Sequence, residues 1–86
     1  MRLHHLRDRD GGEIDFIAEA ADGRVVALEV KAAQAVSPRD AHRLKWLRNK
    51  IGSDFACGAV LHTGERSFRL DDDIYALPIS ALWLTP

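Results

Sequence analysis

Two stretches of alternating residues flank Asp22-Gly23, and they constrain this chain more than anything else in it. Residues 13–20 place Glu13, Asp15, Ile17 and Glu19 on one face, and Ile14, Phe16, Ala18 and Ala20 on the other. Residues 24–31 place Val26, Leu28 and Val30 together, opposite Val25, Ala27, Glu29 and Lys31. A period of two on both sides of a turn signal predicts a β-hairpin. A two-residue loop would pair Phe16 with Glu29 and mix apolar and charged residues on both faces. A three-residue loop, Ala21-Asp22-Gly23, puts Gly23 at the left-handed bulge position. It pairs Phe16 with Leu28, Ile14 with Val30, Asp15 with Glu29 and Glu13 with Lys31. One face is then wholly apolar and free to pack under a helix, and the other gathers the charges. A one-residue slip exchanges the faces, so burial selects this second register.

The rest of the chain supplies few further elements. Leu3–Asp8 reads as a first strand, turned by Asp10-Gly11-Gly12 into the hairpin. Ser37-Pro38-Arg39-Asp40 is a helix start, with Ser37 as cap, Pro38 in the first turn and Asp40 closing a capping box. The helix runs to about Lys50, and Gly52 stops it. Ala41, Leu44, Leu47 and Ile51 form its apolar stripe, with Trp46 beside them. Phe55–His62 is a nearly continuous apolar run and reads as a buried strand. Short strands are expected at Phe68–Leu70 and Ile74–Leu77, and Pro78 opens an irregular or helical end. The order β-β-β-α-β plus short C-terminal elements is α/β or α+β. At 86 residues this is one domain, spanning 1–86, with a thin core.

Charge excludes the simplest functional classes. Twelve Lys+Arg against thirteen Asp+Glu leave a net charge of −1, so no global basic excess advertises nucleic acid. No apolar run is long enough to span a membrane, and the polar start MRLHHLRDRD does not read as a signal peptide. A cytoplasmic protein is expected, with no membrane partner. No Gly-x4-Gly-Lys-Ser/Thr loop is present, which excludes ATP binding by that route. The single cysteine, Cys57, reads as a small buried hydrophobe.

Local clusters carry the chemistry. Asp15 and Glu29, opposed across two strands, would repel unless a cation neutralised them. Magnesium is commonly held by one or two carboxylates plus water and phosphate oxygens. Lys31 projects to the same side as Glu29 and can steady a phosphate or an attacking water. Metal, acid and lysine on one sheet face are the parts of metal-assisted phosphodiester hydrolysis. The same alternation is also what a solvated sheet face looks like. Five of the twelve cations lie in the helix, and Arg43, Lys45, Arg48 and Lys50 are candidate phosphate contacts or an ordinary solvated face. His4 and His5, adjacent on a strand, point to opposite faces and do not form a chelating pair. His62 reads as the end of a buried strand, Asp71-Asp72-Asp73 as a solvated turn, and Trp46 and Trp83 as packing anchors.

The pattern Asp15…Glu29-x-Lys31, on adjacent strands followed by a helix and a buried strand, resembles the PD-(D/E)XK nuclease superfamily. More closely, Arg7-Asp-Arg-Asp-Gly-Gly-Glu-Ile-Asp-Phe-Ile17, Leu28-Glu-Val-Lys-Ala32 and Ala76-Leu-Pro-Ile-Ser-Ala-Leu-Trp83 resemble the uncharacterised C-terminal domain of a prokaryotic family of AAA-type ATPases. The resemblance implies a restriction-endonuclease-like mixed sheet. It implies Asp15, Glu29 and the Val30 carbonyl as ligands of magnesium or manganese, and Lys31 as the catalytic lysine. Glu13 becomes an additional ligand or a salt-bridge partner of Lys31. Two departures stand out: the superfamily's first helix is missing, and Ile14 stands where the motif has proline. The ATPase module expected upstream is not in this chain. Two functions follow as expectations. One is magnesium-dependent hydrolysis of DNA phosphodiesters. The other is a catalytically inactive docking or dimerisation module, in which an ATPase module or a second copy covers the sheet face that the missing helix leaves open.

Overall fold

The computed structural model describes the backbone of residues 2–8 and 12–83 and the side chains of residues 14–81. Six strands form one mixed sheet in the order β1-β2-β3-β4-β6-β5. They are β1 (Arg2–Asp8), β2 (Gly12–Glu19), β3 (Val25–Val30), β4 (Phe55–His62), β5 (Phe68–Asp71) and β6 (Ile74–Pro78). β1, β2 and β3 are an antiparallel meander. β3, β4 and β6 run parallel, and β5 is antiparallel to β6 at the far edge. The β3–β4 crossover holds the helix α1 (His42–Ile51). The fold is mixed α+β.

The hairpin register is the expected one. Phe16 faces Leu28, Ala18 faces Val26, and Gly23 has φ 89° in the three-residue loop. The ladder, however, does not continue to Asp15 and Glu29 as a direct pair. On β1, His4 pairs with Ile17 and Leu6 with Ile14, so β2 carries one extra residue at Asp15-Phe16. Such a bulge re-aims the side chains around it. It lets Ile14 and Ile17 both enter the core despite their odd spacing. It also turns Asp15 so that its carboxylate, rather than its backbone, accepts the Val30 N–H at 2.7 Å.

Which face the helix covers is a second correction. α1 lies on the side of Ile17, Val25, Ala27 and Glu29, not over Phe16, Leu28 and Val30. The reason is size. Ala27 and Gly58 are neighbours on β3 and β4, and they make a shallow floor. The Leu44 side chain and the Phe55 ring press onto it so closely that a Cβ at Gly58 would lie 2.9 Å from the Phe55 ring. Ala41, Leu44 and Leu47 are buried there, each large side chain contributing about 1.5–3 kcal/mol. The other face keeps Phe16 at 45%, Val30 at 40% and Tyr75 at 39% exposure.

Asp40 anchors the start of the crossover. The Ser37 N–H donates to its carboxylate and its own N–H donates to the Ser37 carbonyl. The first turn, Pro38–Ala41, is a 3-10 turn that runs into α1, a common form of helix N-terminus. Gly52 ends the helix with φ 63°. Cys57 is half-buried rather than fully buried, and burial raises its thiol pKa, with the Asp73 charge adding to the effect. The side chains of His4, His5 and Trp83 lie outside the described residues. No helix among the described residues is long and apolar enough to cross a membrane.

Candidate functional site

The end of β3 gathers the residues expected to carry chemistry. Glu29 is buried under the N-terminal half of α1. Its Oε1 accepts a hydrogen bond from Arg43 Nη1 at 2.7 Å. Its Oε2 is buried without a donor, and it is the one such side-chain atom among the described residues. Burial raises the Glu29 pKa, Arg43 opposes the rise, and the nearby Asp15 charge adds to it. A raised carboxyl flanked by a second acid is the kind of perturbation that concentrates at functional sites, although structural ion pairs also produce it.

Lys31 follows β3 by one residue and stays in the sheet, its N–H donating to the Leu61 carbonyl. Its ammonium donates to Asp40 Oδ2 at 2.6 Å. That contact lowers the Asp40 pKa, with the Ser37 N–H second. Asp40 therefore has two tasks: it ties the first turn of the crossover and it holds Lys31. Arg43, one turn further on, lies on the same side and holds Glu29. Both roles were hidden in the sequence. Asp40 reads there as a cap alone and Arg43 as a phosphate contact. Their spacing of three is the available signal, since residues three apart share a helix face.

Asp15, Glu29 and the Val30 carbonyl were the expected ligands of a divalent cation. The fit rests on Glu29 Oε2, a buried acceptor that a cation or a proton would satisfy. Asp15 spends one oxygen on Val30 N–H, and Arg43 occupies the other oxygen of Glu29. No group of three or more His, Cys, Asp or Glu residues is assembled for a metal among the described residues. The residues thus fit magnesium held by two carboxylates and water, not an all-protein cage. The Glu13 side chain lies outside the described residues, although its backbone pairs with Arg7.

The basic helix is spent largely inside the protein. Arg43 pairs with Glu29, Lys45 with Asp71 at 3.1 Å, and Arg48 with Asp71 at 2.9 Å. Arg48 also donates to the Asp72 carbonyl. Lys50 sits 4.9 Å over the Trp46 ring. Asp71 is consequently a clamp between α1 and the β5–β6 edge rather than a solvated turn residue. Arg48, the Asp72 N–H and Lys45 hold its carboxyl well below the usual range. The remainder of that turn is solvent-exposed, with Asp73 at φ 60°, a conformation aspartate tolerates better than most residues.

His62 closes β4 and is fully buried. The Gly64 N–H donates to its Nδ1, so its Nε2–H donates to the Arg66 carbonyl at 2.9 Å. Extending the β3–β4 register by one step puts His62 beside Lys31.

These features define a mixed α+β domain with an acid–acid–lysine cluster where β2 and β3 meet a helix. The chain matches the family model described as Domain of unknown function (DUF4143) over residues 1–82, and it belongs to that family. No curated protein and no solved structure matches it.

Proposed function

We propose that this chain is a PD-(D/E)XK-type nuclease domain that hydrolyses DNA phosphodiesters with magnesium or manganese, as the C-terminal part of an AAA-type ATPase. The observation that carries the reading is Glu29 Oε2, a buried carboxylate oxygen with no donor, beside Asp15 and Lys31. A buried acceptor left unsatisfied costs about 1–3 kcal/mol, and a cation ligand is one use that offsets it. Asp15 and Glu29 would hold the ion, with the carbonyl of Val30, the residue after Glu29, as a third ligand. The ion would act as a Lewis acid on the phosphoryl oxygen. Lys31, fixed by Asp40, keeps donors for a phosphate oxygen or for the attacking water. Because Arg43, Lys45 and Arg48 are committed to carboxylates, phosphate contacts fall to exposed cations such as Arg39 and Arg66. The test is cleavage of single-stranded and duplex DNA in magnesium, in manganese and in EDTA. Metal-dependent cleavage lost in both Glu29→Gln and Lys31→Met supports the reading. Cleavage that survives EDTA, or either substitution, contradicts it.

A second reading is a docking or dimerisation module of the same fold. The observation favouring it is the open sheet face with Phe16, Val30 and Tyr75 exposed. Here a second copy covers that face. Sedimentation velocity then gives a dimer that Phe16→Asp dissociates, and a monomer at all concentrations rules this reading out.

A further inference from the structure

Beside the acid–lysine cluster, the loops that follow β3 and β4 line an open cavity of about 550 Å³. That volume is within the usual range of ligand pockets. Its place is informative. In open sheets ligands bind outside the carboxyl ends of parallel strands, and β3 and β4 both end here. The walls are Gln34 and Val36 on one side and His62, Thr63, Arg66 and Phe68 on the other. They are tied together rather than loosely apposed. The Thr63 N–H donates to the Ala33 carbonyl at 3.0 Å, and His62 pins both Gly64 and Arg66. Gly64 approaches Gln34 so closely that a Cβ there would lie 2.6 Å from the Gln34 carbonyl oxygen. A loop held in this way is formed before any ligand arrives, which lowers the cost of binding.

The chemistry of the lining narrows the ligand. Phe68 is an aromatic ring left 40% exposed at the wall. The His62 ring lies 6.4 Å from it and is tilted by 37°. Both His62 nitrogens are already used and the ring is fully buried, so it backs the Phe68 ring rather than meeting the ligand. The Gln34 amide and Thr63 hydroxyl can each donate and accept, and Arg66 supplies a positive charge. A flat platform, a two-way hydrogen-bonding edge and one cation suit a planar heterocycle attached to a phosphate. We infer that this cavity takes a nucleobase, with Phe68 as the stacking platform. The inference rests on the nucleic-acid reading above and deepens it. A base paired in a duplex presents no free face, so the substrate is single-stranded or unpaired at this position.

The experiment is a fluorescence titration in EDTA, which separates binding from cleavage. The probes are a short single-stranded DNA carrying 2-aminopurine, the same strand in a duplex, and 2-aminopurine riboside monophosphate. Stacking on Phe68 quenches the single-stranded probe as protein is added, and leaves unchanged the signal of the duplex probe, which is already dim from stacking on its neighbours. Phe68→Ala weakens the affinity about tenfold or more, and Phe68→Trp retains it. Gln34→Ala, in an exposed loop, also weakens binding, and amide spectra confirm that each variant is folded. Quenching of the strand alone assigns the base to a chain, and equal quenching of the monophosphate assigns it to a free nucleotide. No quenching of either, or identical affinities for the native protein and folded Phe68→Ala, overturns the inference. Quenching without any cleavage in magnesium removes the nuclease reading and leaves the pocket. Cleavage of single strands unaffected by Phe68→Ala removes the pocket and leaves the nuclease.

Discussion

Replacing Arg43 with methionine keeps the stem of the side chain and removes the charge that neutralises Glu29. Glu29 then stays under α1 with both oxygens lacking a donor, unless it takes up a proton. Removing one partner of a buried pair costs about 3–5 kcal/mol. Arg43 is 43% exposed, so water already shares in this pair, and we discount the loss to about 2 kcal/mol at pH 7.5. A chain of 86 residues has a total stability of about 4–13 kcal/mol, so the loss is a large fraction of it. With a urea slope of about 1 kcal/mol per molar, the midpoint falls by about 2 M. The pH dependence gives the sharper test. Burial raises the folded-state pKa of Glu29, and Arg43 opposes that rise. Without Arg43 the pKa rises further, while the unfolded carboxyl stays near 4.3. A raised folded pKa favours the folded state at low pH and loses that contribution as pH rises through it. The variant must therefore gain more stability than the native protein between pH 7.5 and pH 5. Urea melts at the two pH values measure it, and adding Glu29→Gln should restore most of the loss. A deficit below about 0.5 kcal/mol, or one that is equal at both pH values, refutes the buried pair.

Two further predictions concern the frame that holds this site. Gly58→Ala places a Cβ 2.9 Å from the Phe55 ring and 3.3 Å from Leu44, so overpacking should destabilise the protein by about 1–3 kcal/mol in urea melts. Asp71→Asn should lower the melting temperature at pH 7 by weakening the clamp on Lys45 and Arg48. Because the Asp71 pKa is depressed in the fold, its contribution is present above the unfolded value near 3.9. It is lost as pH falls through the folded value, so the gap between native and variant should close in strong acid.

The hairpin was legible because a turn signal and strict alternation left few registers open. The helix stripe and both helix boundaries were legible for the same reason: local patterns encode local structure. The covered face was misjudged because hydrophobic count favoured Phe16, Leu28 and Val30. A helix, however, settles where Ala27 and Gly58 allow close approach, and those residues are small rather than conspicuously apolar. The bulge at Asp15-Phe16 was invisible, since it arises from pairing with β1 and carries no glycine. The cluster of Asp15, Glu29 and Lys31 could be read from spacing on two strands. Its partners, Asp40 and Arg43, come from a crossover whose placement no pairwise pattern reveals. The ion pairs of the basic helix were hidden for a related reason: Asp71, twenty-three residues beyond Arg48, is brought beneath it only by the parallel return of β4 and β6.

The most direct measurement is a manganese titration followed by amide NMR, on the native protein and on Asp15→Asn. The substitution preserves the shape of the side chain and its acceptor for the Val30 N–H, so the fold should persist. The account predicts paramagnetic broadening centred on Asp15, Glu29, Val30 and Lys31, and its loss in the variant. A folded protein with no localised broadening there, or with the same broadening in Asp15→Asn, would contradict a metal-dependent site.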